Sequence, residues 1–264
     1  MNTKRALLSA ALIVLMAASL RADEMFDELT GSCRIRISEK PGGFELKFER
    51  GNCEGEGGGN CDNTETREPL DAFTGITVAD LGREGAHLDA VLTAEAGTLR
   101  CSGTVHAAEL VGAFTFEPDK AFIDRMREVG ITGIDPRKLE AYAIFRVTRD
   151  WVVSLQKAGV TGIDADNLIA LRIFGVDADY VHSLGALGYP PPPAEKLIAL
   201  RVQGVNPAEV RRVQAMGYHP SLDELIQMRI FKVTPDFIGR MKAKGFDNLT
   251  IARLVQIRIF KLAE

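Results

Sequence analysis

Apolar and polar residues alternate in the first part of the chain, up to residue 118. The alternation is clearest at residues 33–37, 44–48, 88–92, 99–101 and 114–116. A period of two is typical of strands that bury one face. Pro41-Gly42-Gly43 supplies a turn between the first two stretches. The pattern predicts a small antiparallel β domain of about five strands over residues 23–118.

The apolar pattern changes after residue 118 and then repeats. The phrase LIALRIFGV at residues 168–176 has four related copies, and the first leucines of the five copies are 29, 29, 28 and 29 residues apart. These leucines are Leu139, Leu168, Leu197, Leu225 and Leu254. A glycine followed by a large apolar residue keeps the same spacing, at Gly130, Gly159, Gly188, Gly217 and Gly245. Two anchors in phase over five copies indicate a structural repeat.

Residues that cap helix N-termini recur twice in each repeat. The first set is Asp119, Thr148, Asp177, Asn206 and Thr234, and the second is Asp135, Asp164, Ser221 and Thr250, with Pro193 in the remaining copy. Their oxygens can accept hydrogen bonds from the free amides of a first helical turn, and the repeated glycine can end the first helix. We therefore predict an α-solenoid of five two-helix repeats over residues 119–264, and an α+β fold for the chain.

Charge separates the same two parts of the chain. Residues 23–118 hold 19 acidic and 8 basic residues, whereas residues 119–264 hold 17 acidic and 21 basic ones. The opposite signs indicate two units, which either carry their own solvated surfaces or dock on each other. The whole chain has a net charge of −4, which argues against a nucleic-acid partner held by overall positive charge.

The N-terminal residues have the pattern of an export signal. Lys4 and Arg5 precede an uncharged apolar stretch at residues 6–20, and four acidic residues follow Arg21. The apolar stretch is shorter than the roughly 20 residues that a membrane-spanning helix needs. We predict a signal peptide at residues 1–22 and a periplasmic or secreted mature chain that does not span the membrane. Lipidation at Cys33 is the alternative, although Thr30 replaces the usual aliphatic residue.

All four cysteines, Cys33, Cys53, Cys61 and Cys101, lie in the predicted β domain. In an exported protein they predict two disulfides, and three pairings can be drawn. Cys53 and Cys61 flank a glycine-rich loop that can bring its ends together, which leaves Cys33 with Cys101, each on the apolar face of its strand. A zinc site made of the four thiolates is the alternative, but the spacing lacks paired C-x-x-C motifs.

The sequence contains no constellation typical of catalysis. Residues 154–157 (SLQK) match the S-x-x-K of penicillin-recognising enzymes, but neither S-D-N nor K-T-G follows. Residues 164–167 (DADN) begin like a calcium loop but lack its later glycine and glutamate. The four histidines have no metal-ligand spacing. The sequence therefore predicts a non-enzymatic protein with no catalytic residue, cofactor or metal.

One arginine recurs at the same place in four successive repeats, as Arg172, Arg201, Arg229 and Arg258. Stacked repeats would place these arginines in a ladder whose guanidinium groups can bind carboxylates or phosphates of a partner. They are the candidate partner-binding residues. The alternative is internal pairing with the cap aspartates or helix carbonyls of adjacent repeats.

The last repeat lacks the polar outer face that usually ends a repeat array. Its apolar residues include Val255, Ile257, Ile259, Phe260 and Leu262. An open apolar end predicts self-association or partner docking through residues 246–264.

Two parts of the sequence resemble a known family. The repeat phrase LIALRIFGV resembles the periplasmic helical-repeat tails of some bacterial membrane metallopeptidases of the beta-lactam-sensor type, and of their free-standing exported relatives. The stretch AGTLRCSG at residues 96–103, followed by GAFTF at 112–116, resembles the β module that often precedes those repeats. The resemblance covers nearly the whole mature chain and implies an accessory or sensory interaction part. It does not imply peptidase activity, because the chain has no H-E-x-x-H motif.

These features predict an exported protein-interaction or sensory accessory module in the cell envelope, whose partner is another envelope protein. The alternative function is binding of an anionic cell-wall peptide or glycan through the repeated arginines. Strong salt dependence of binding would favour the anionic ligand, and salt-insensitive binding would favour an apolar protein surface.

Overall fold

The computed structural model of the protein describes residues 29–40, 42–51, 61–246 and 248–262. The chain divides into two compact units between Thr148 and Arg149. The first unit contains a β-sheet and helices, and the described part of the second contains helices, so the predicted α+β fold class is confirmed. The predicted signal peptide, residues 1–22, lies outside the described residues.

Six strands form one sheet in the described part of the first unit. They are β1 Leu29–Ile37, β2 Gly43–Gly51, β3 Cys61–Pro69, β4 His87–Ala94, β5 Gly97–His106 and β6 Glu109–Pro118. Their order in the sheet is β3-β2-β1-β6-β5-β4, and all neighbouring strands are antiparallel. The sheet therefore consists of two three-stranded meanders that join where β1 pairs with β6.

Apolar alternation in the sequence did not predict strand β3. Its sequence, CDNTETREP, is polar, and Glu68 is its buried residue. It nevertheless pairs with β2 along its whole length, from Pro69 opposite Gly43 to Cys61 opposite Gly51. A polar strand at the edge of a sheet also discourages pairing with other chains.

One face of the sheet is buried and contributes most of the core of the first unit. Ile35, Phe44, Leu110, Phe114 and Phe116 are all fully buried. The opposite face carries charged residues that pair across strands, as Arg36 of β1 does with Glu45 of β2 at 2.8 Å. The alternation in the sequence therefore reflects one buried face and one solvent-facing face.

A disulfide joins Cys33 on β1 to Cys101 on β5, as predicted. Strand β6 lies between these two strands in the sheet, and it approaches β5 closely where Gly112 faces Gly103. A Cβ atom on either glycine would lie 2.6 Å from the Cα of the other, so a larger residue would push the strands apart. The disulfide rules out a zinc site that uses all four thiolates. Cys53 lies outside the described residues, so its pairing with Cys61 stays a prediction.

Three α-helices of the first unit are described: α1 Val78–Leu81, α2 Lys120–Arg127 and α3 Pro136–Ile144. Helices α2 and α3 correspond to the first predicted repeat, and α3 packs against β4, β5 and β6. Tyr142 and Ile144 of α3 are buried. The predicted boundary at residues 118/119 separates strands from helices, whereas the division into compact units falls after residue 148.

Eight helices in the described part of the second unit form four pairs. We number them pairs 2 to 5, with α2 and α3 as pair 1. Pair 2 is α4 Arg149–Lys157 with α5 Leu168–Ile173, and pair 3 is α6 Ala178–Gly185 with α7 Ala194–Val202. Pair 4 is α8 Pro207–Ala215 with α9 Leu222–Ile230, and pair 5 is α10 Pro235–Ala243 with α11 Ile251–Phe260.

The predicted caps begin most of these helices. Asp177, Asn206, Ser221, Thr234 and Thr250 each accept a hydrogen bond from an amide of the first turn. Glycines 159, 188, 217 and 245 have φ angles of 84° to 91° just after the first helices, the left-handed conformation predicted for them. Helix α5 differs from the prediction, because Asp164 bonds to the amides of Asp166 and Asn167 in a turn and Asn167 is the N-cap.

Equivalent helices of successive pairs contact one another. The first helices of the pairs touch in series, α4 with α6, α6 with α8 and α8 with α10. The second helices do the same, α5 with α7, α7 with α9 and α9 with α11. Each pair therefore buries its apolar residues against its neighbours. Across the residues that the structure describes, no helix is long and apolar enough to cross a membrane.

Candidate functional site

The four repeated arginines lie near the C-terminal ends of α5, α7, α9 and α11, and all four are half-buried. Arg201 shows the arrangement most clearly. Its Nε donates to the carbonyl of Phe174 at the end of α5, at 2.7 Å, and its guanidinium lies 4.8 Å from the centre of the Tyr180 ring. The carbonyls at a helix C-terminus carry partial negative charge, so a cation placed there is stabilising.

The other arginines repeat this arrangement with small changes. Arg258 donates to the carbonyl of Lys232 and lies 4.5 Å from the Phe237 ring centre. Arg172 lies 5.4 Å from the Trp151 ring centre. Arg229 donates to the carbonyl of Gln203 at 3.1 Å and pairs with the Glu209 carboxylate at 2.6 Å. The candidate partner-binding arginines thus bind groups of their own chain, and for Arg201, Arg229 and Arg258 these include helix-end carbonyls of the preceding pair.

The rings beneath the arginines occupy one equivalent position on the first helices of pairs 2, 3 and 5. Trp151 donates from Nε1 to the carbonyl of Val176, and the Tyr180 hydroxyl donates to the carbonyl of Val205, both at 3.1 Å. Burial raises the pKa of Tyr180 to about 12, so the hydroxyl keeps its proton. Phe237 supplies the ring in pair 5, but pair 4 has Glu209 instead. A cavity of about 430 Å³ lies beside Glu209.

Replacing Tyr180 by Phe tests the hydrogen bond to Val205. The substitution keeps the ring under Arg201 but leaves the Val205 carbonyl without the donor it has in the native structure. We expect the free energy of unfolding to fall by about 1–2 kcal/mol, the usual effect of leaving one buried group unpaired. Urea unfolding followed by circular dichroism measures this. Tyr180→Leu, which also removes the ring under Arg201, should lose more stability, and a Tyr180→Phe variant as stable as wild type would contradict the assigned bond.

A row of exposed aliphatic residues runs beside the arginines. Ile173, Val202, Ile230 and Ile259 each follow one of the repeated arginines, and their exposed fractions are 52%, 47%, 49% and 47%. We call these four residues the aliphatic row. Contiguous exposed apolar surface commonly marks a site of interaction with another molecule. The sequence carries the signal, since an Ile or Val follows the arginine in each of the four copies that have it, but helical periodicity alone does not show that this position is exposed.

In pair 1, the position that corresponds to the aliphatic row is buried. The residue equivalent to Ile173 is Ile144, which is only 2% exposed, and the residue equivalent to Arg172 is Ala143, which is fully buried. Helix α3, which carries both, packs against the sheet. The same helix face is therefore a protein-packing surface in pair 1 and an exposed surface in pairs 2 to 5.

The last helix pair exposes part of the apolar surface predicted for it. Phe246, Ile259, Phe260 and Leu262 are exposed by 44%, 47%, 65% and 61%. Val255 and Ile257, which the sequence analysis placed in the same surface, are buried instead. These two side chains belong to the interior of the helical unit.

A second concavity, of about 350 Å³, lies in the first unit between β2, β3 and α3. Arg50 bonds to Glu140 in it, and the Arg50 guanidinium lies 5.5 Å from the Phe114 ring centre. Burial raises the pKa of Glu140, while Arg50 acts in the opposite direction. The Arg50–Glu140 ion pair links β2 to α3, and the partner charge compensates for the burial of Glu140 inside the unit.

Glu68 is the other buried carboxylate of this region. It pairs with Arg146 at 3.1 Å, yet burial raises its pKa above the usual value for glutamate. A carboxyl whose pKa is higher in the folded state stabilises the fold at acidic pH, and this contribution is lost as the pH rises through the folded pKa. Ionisation of Glu68 is therefore less favourable in the folded protein than in the unfolded chain.

Glu68→Gln tests this assignment through pH dependence. Because Gln does not titrate, the variant should gain stability relative to wild type as the pH rises from 4 to 7. Melting temperatures of both proteins across this range measure the difference. Glu45→Gln is the matched control, since the pKa of Glu45 is lowered, chiefly by the hydrogen bond from Ser38, and its difference should run the other way. A Glu68→Gln difference that is constant with pH would contradict the assignment.

No group of three or more histidine, cysteine, aspartate or glutamate side chains that could hold a metal ion occurs among the described residues. Comparison of the chain with protein-family models, with curated proteins and with solved structures finds no match. The geometry of the helix pairs is therefore the basis for assigning a function.

Proposed function

We propose that the protein is an exported interaction protein of the cell envelope and that it binds another protein through the aliphatic row. The observation that carries the proposal is the exposure of Ile173, Val202, Ile230 and Ile259, one in each of four consecutive helix pairs. Resemblance of the repeat phrase to periplasmic repeat tails supports an accessory or sensory role.

A solenoid of five two-helix repeats is part of the proposal. Its support is the series of contacts between equivalent helices in pairs 2 to 5 and the spacing of 28 to 29 residues between the repeat leucines. Such a stack sets equivalent residues of successive repeats side by side and so forms an extended binding surface. The aliphatic row would then be one continuous stripe, with the repeated arginines along its margin.

The size of the effect expected from the row follows from its exposure. Burying a whole Ile or Val side chain stabilises a contact by about 1.5–3 kcal/mol, and the four side chains are already half-buried. Covering the remainder would contribute about 1 kcal/mol per residue, or about 4 kcal/mol in total. This is enough to decide whether a complex forms at micromolar concentrations.

Export rests on two features of the chain. Residues 1–22 have the pattern of a signal peptide. The Cys33–Cys101 disulfide suits an oxidising compartment such as the periplasm or the cell exterior.

The proposal is tested by crosslinking the mature protein in a periplasmic fraction and recovering what is bound. Wild type is compared with a variant that has threonine at the four row positions, and with a control that has serine at three exposed positions of the same helices, Glu195, Gln227 and Ala252. We expect wild type and control to recover the same protein and the row variant to lose it. Recovery by all three would contradict the proposal. If binding is lost at high salt and the row variant still binds, the anionic ligand is the favoured partner.

Self-association through the last helix pair is a further part of the proposal, and the exposure of Phe260 and Leu262 supports it. The mature protein is expected to form dimers or larger species as its concentration rises. Replacing Phe260 and Leu262 by serine should return it to a monomer. Light scattering over a range of concentrations measures this, and a wild-type protein that stays monomeric at high concentration would contradict it.

A further inference from the structure

The cavity beside Glu209 lies where the other helix pairs hold an aromatic ring. Pairs 2, 3 and 5 have Trp151, Tyr180 and Phe237 at the position that Glu209 occupies in pair 4. Four residues later these pairs have leucine or methionine, as at Leu184 and Met241, where pair 4 has the smaller Val213. Pair 4 therefore lacks both a ring and part of an aliphatic side chain, and Glu209 and Val213 line the cavity of about 430 Å³.

Two groups that contact the Tyr180 ring in pair 3 have equivalents in pair 4. Arg229 corresponds to Arg201, which stacks on Tyr180, and it lines the cavity. Val233 also lines the cavity and corresponds to Val205, whose carbonyl accepts the Tyr180 hydroxyl. Glu209 accepts a hydrogen bond from Arg229 and does not replace the ring donor that the Val205 carbonyl has in pair 3. The cavity thus presents a cation for a ring face and a carbonyl for a donor at the ring's far end.

The remaining walls are mainly apolar on one side, whereas Asn206, Lys232, Thr234 and Arg258 also line the cavity. Val205, Val210, Val213, Leu225 and Met228 line the cavity. An apolar cavity of about 150 Å³ is enough to take up benzene, so this cavity has room for a ring with a polar group.

We propose that the cavity at Glu209 is a binding site for a phenol or indole ring supplied by another molecule. The ring lies under the Arg229 guanidinium, and its O–H or N–H donates to the Val233 carbonyl. Trp151 and Tyr180 make the same two contacts inside their own pairs. The ring can come from a tyrosine or tryptophan side chain of a partner protein or from a free aromatic compound. This site is independent of the aliphatic row.

The test titrates the mature protein with p-cresol and follows the methyl signals of Val205, Val213 and Met228 by NMR. We expect saturable shifts confined to these methyl groups, with a Kd of about 1 mM or lower, as suits a ligand of this size. Toluene, which has no donor, should bind about fivefold more weakly, the effect of one hydrogen bond of about 1 kcal/mol. The blocked peptide N-acetyl-Gly-Tyr-Gly-amide distinguishes the sources, because it binds only if the opening admits a ring attached to a polypeptide.

Three variants decide whether the shifts report this cavity. Glu209→Tyr supplies the missing ring within the chain and should abolish p-cresol binding while raising the melting temperature. Val213→Leu restores the side chain that pairs 2 and 3 have and should also weaken binding, which keeps the test informative if Glu209→Tyr fails to fold. Glu195→Tyr is the control and should bind like wild type. Absence of saturable shifts, or equal binding by Glu209→Tyr and wild type, would overturn the proposal.

Discussion

Replacing Cys33 and Cys101 together by alanine is expected to lower the free energy of unfolding of the first unit by about 4 kcal/mol. The two cysteines are 68 residues apart in sequence. In the chain-entropy description, a crosslink of that span reduces the conformational entropy of the unfolded chain and so raises its free energy by about 4.4 kcal/mol. In the folded chain, both cysteines are buried on the core face of the sheet, so alanine also leaves a small cavity there.

Chemical denaturation followed by far-ultraviolet circular dichroism measures this effect. Wild type treated with a reducing agent should approach the stability of the double variant, which separates loss of the bond from loss of the side chains. The helical transition of the second unit should not change, since both cysteines lie in the first unit. If the free energy of unfolding of the double variant lies within about 1 kcal/mol of wild type, the disulfide contributes little to the stability of the first unit.

Replacing Arg172, Arg201, Arg229 and Arg258 together by glutamine is expected to lower the melting temperature of the second unit by more than 10 °C. Each arginine stacks on a ring or pairs with a carboxylate, and Arg201, Arg229 and Arg258 also donate to a helix-end carbonyl. A contribution of about 1 kcal/mol per arginine gives about 4 kcal/mol for the four. For a unit of this size, 1 kcal/mol corresponds to roughly 4 °C.

Lysine at the same four positions separates charge from geometry. Lysine keeps the positive charge but lacks the planar guanidinium that both stacks on a ring and donates from Nε. We therefore expect the lysine variant to lose most of the same stability. A lysine variant as stable as wild type would mean that charge alone accounts for the effect. Because the arginines support the fold, loss of partner binding in the glutamine variant would not by itself place them in the interface.

The repeat of the helical part could be predicted from sequence because its chemistry recurs in every copy. The left-handed glycines at 159, 188, 217 and 245 and the caps at Asp177, Asn206 and Thr234 act locally. Such residues determine where a helix begins and ends without help from distant parts of the chain. The Cys33–Cys101 bond was predictable in the same way, from the positions of the two residues on the apolar faces of their strands.

Features that depend on packing were not predictable in this way. Strand β3 has no apolar alternation, because it lies at the sheet edge and its backbone pairing with β2 holds it. The covering of α3 by the sheet could not be foreseen, although Ala143 in place of the arginine marks pair 1 as different. The difference at Glu209 depends on the contact that Tyr180 makes in the neighbouring pair, and local sequence patterns do not show that contact.

Site-specific photo-crosslinking in cells tests the central claim, that the aliphatic row is a protein-binding surface. One variant carries a benzophenone amino acid at Ile230, in the aliphatic row on α9. A second variant of the same protein carries it at Arg211, which is exposed on α8. We expect one protein to be captured from Ile230 and not from Arg211, and the same protein to be captured from Val202. Equal capture from Ile230 and Arg211, or none from any row position, would contradict it.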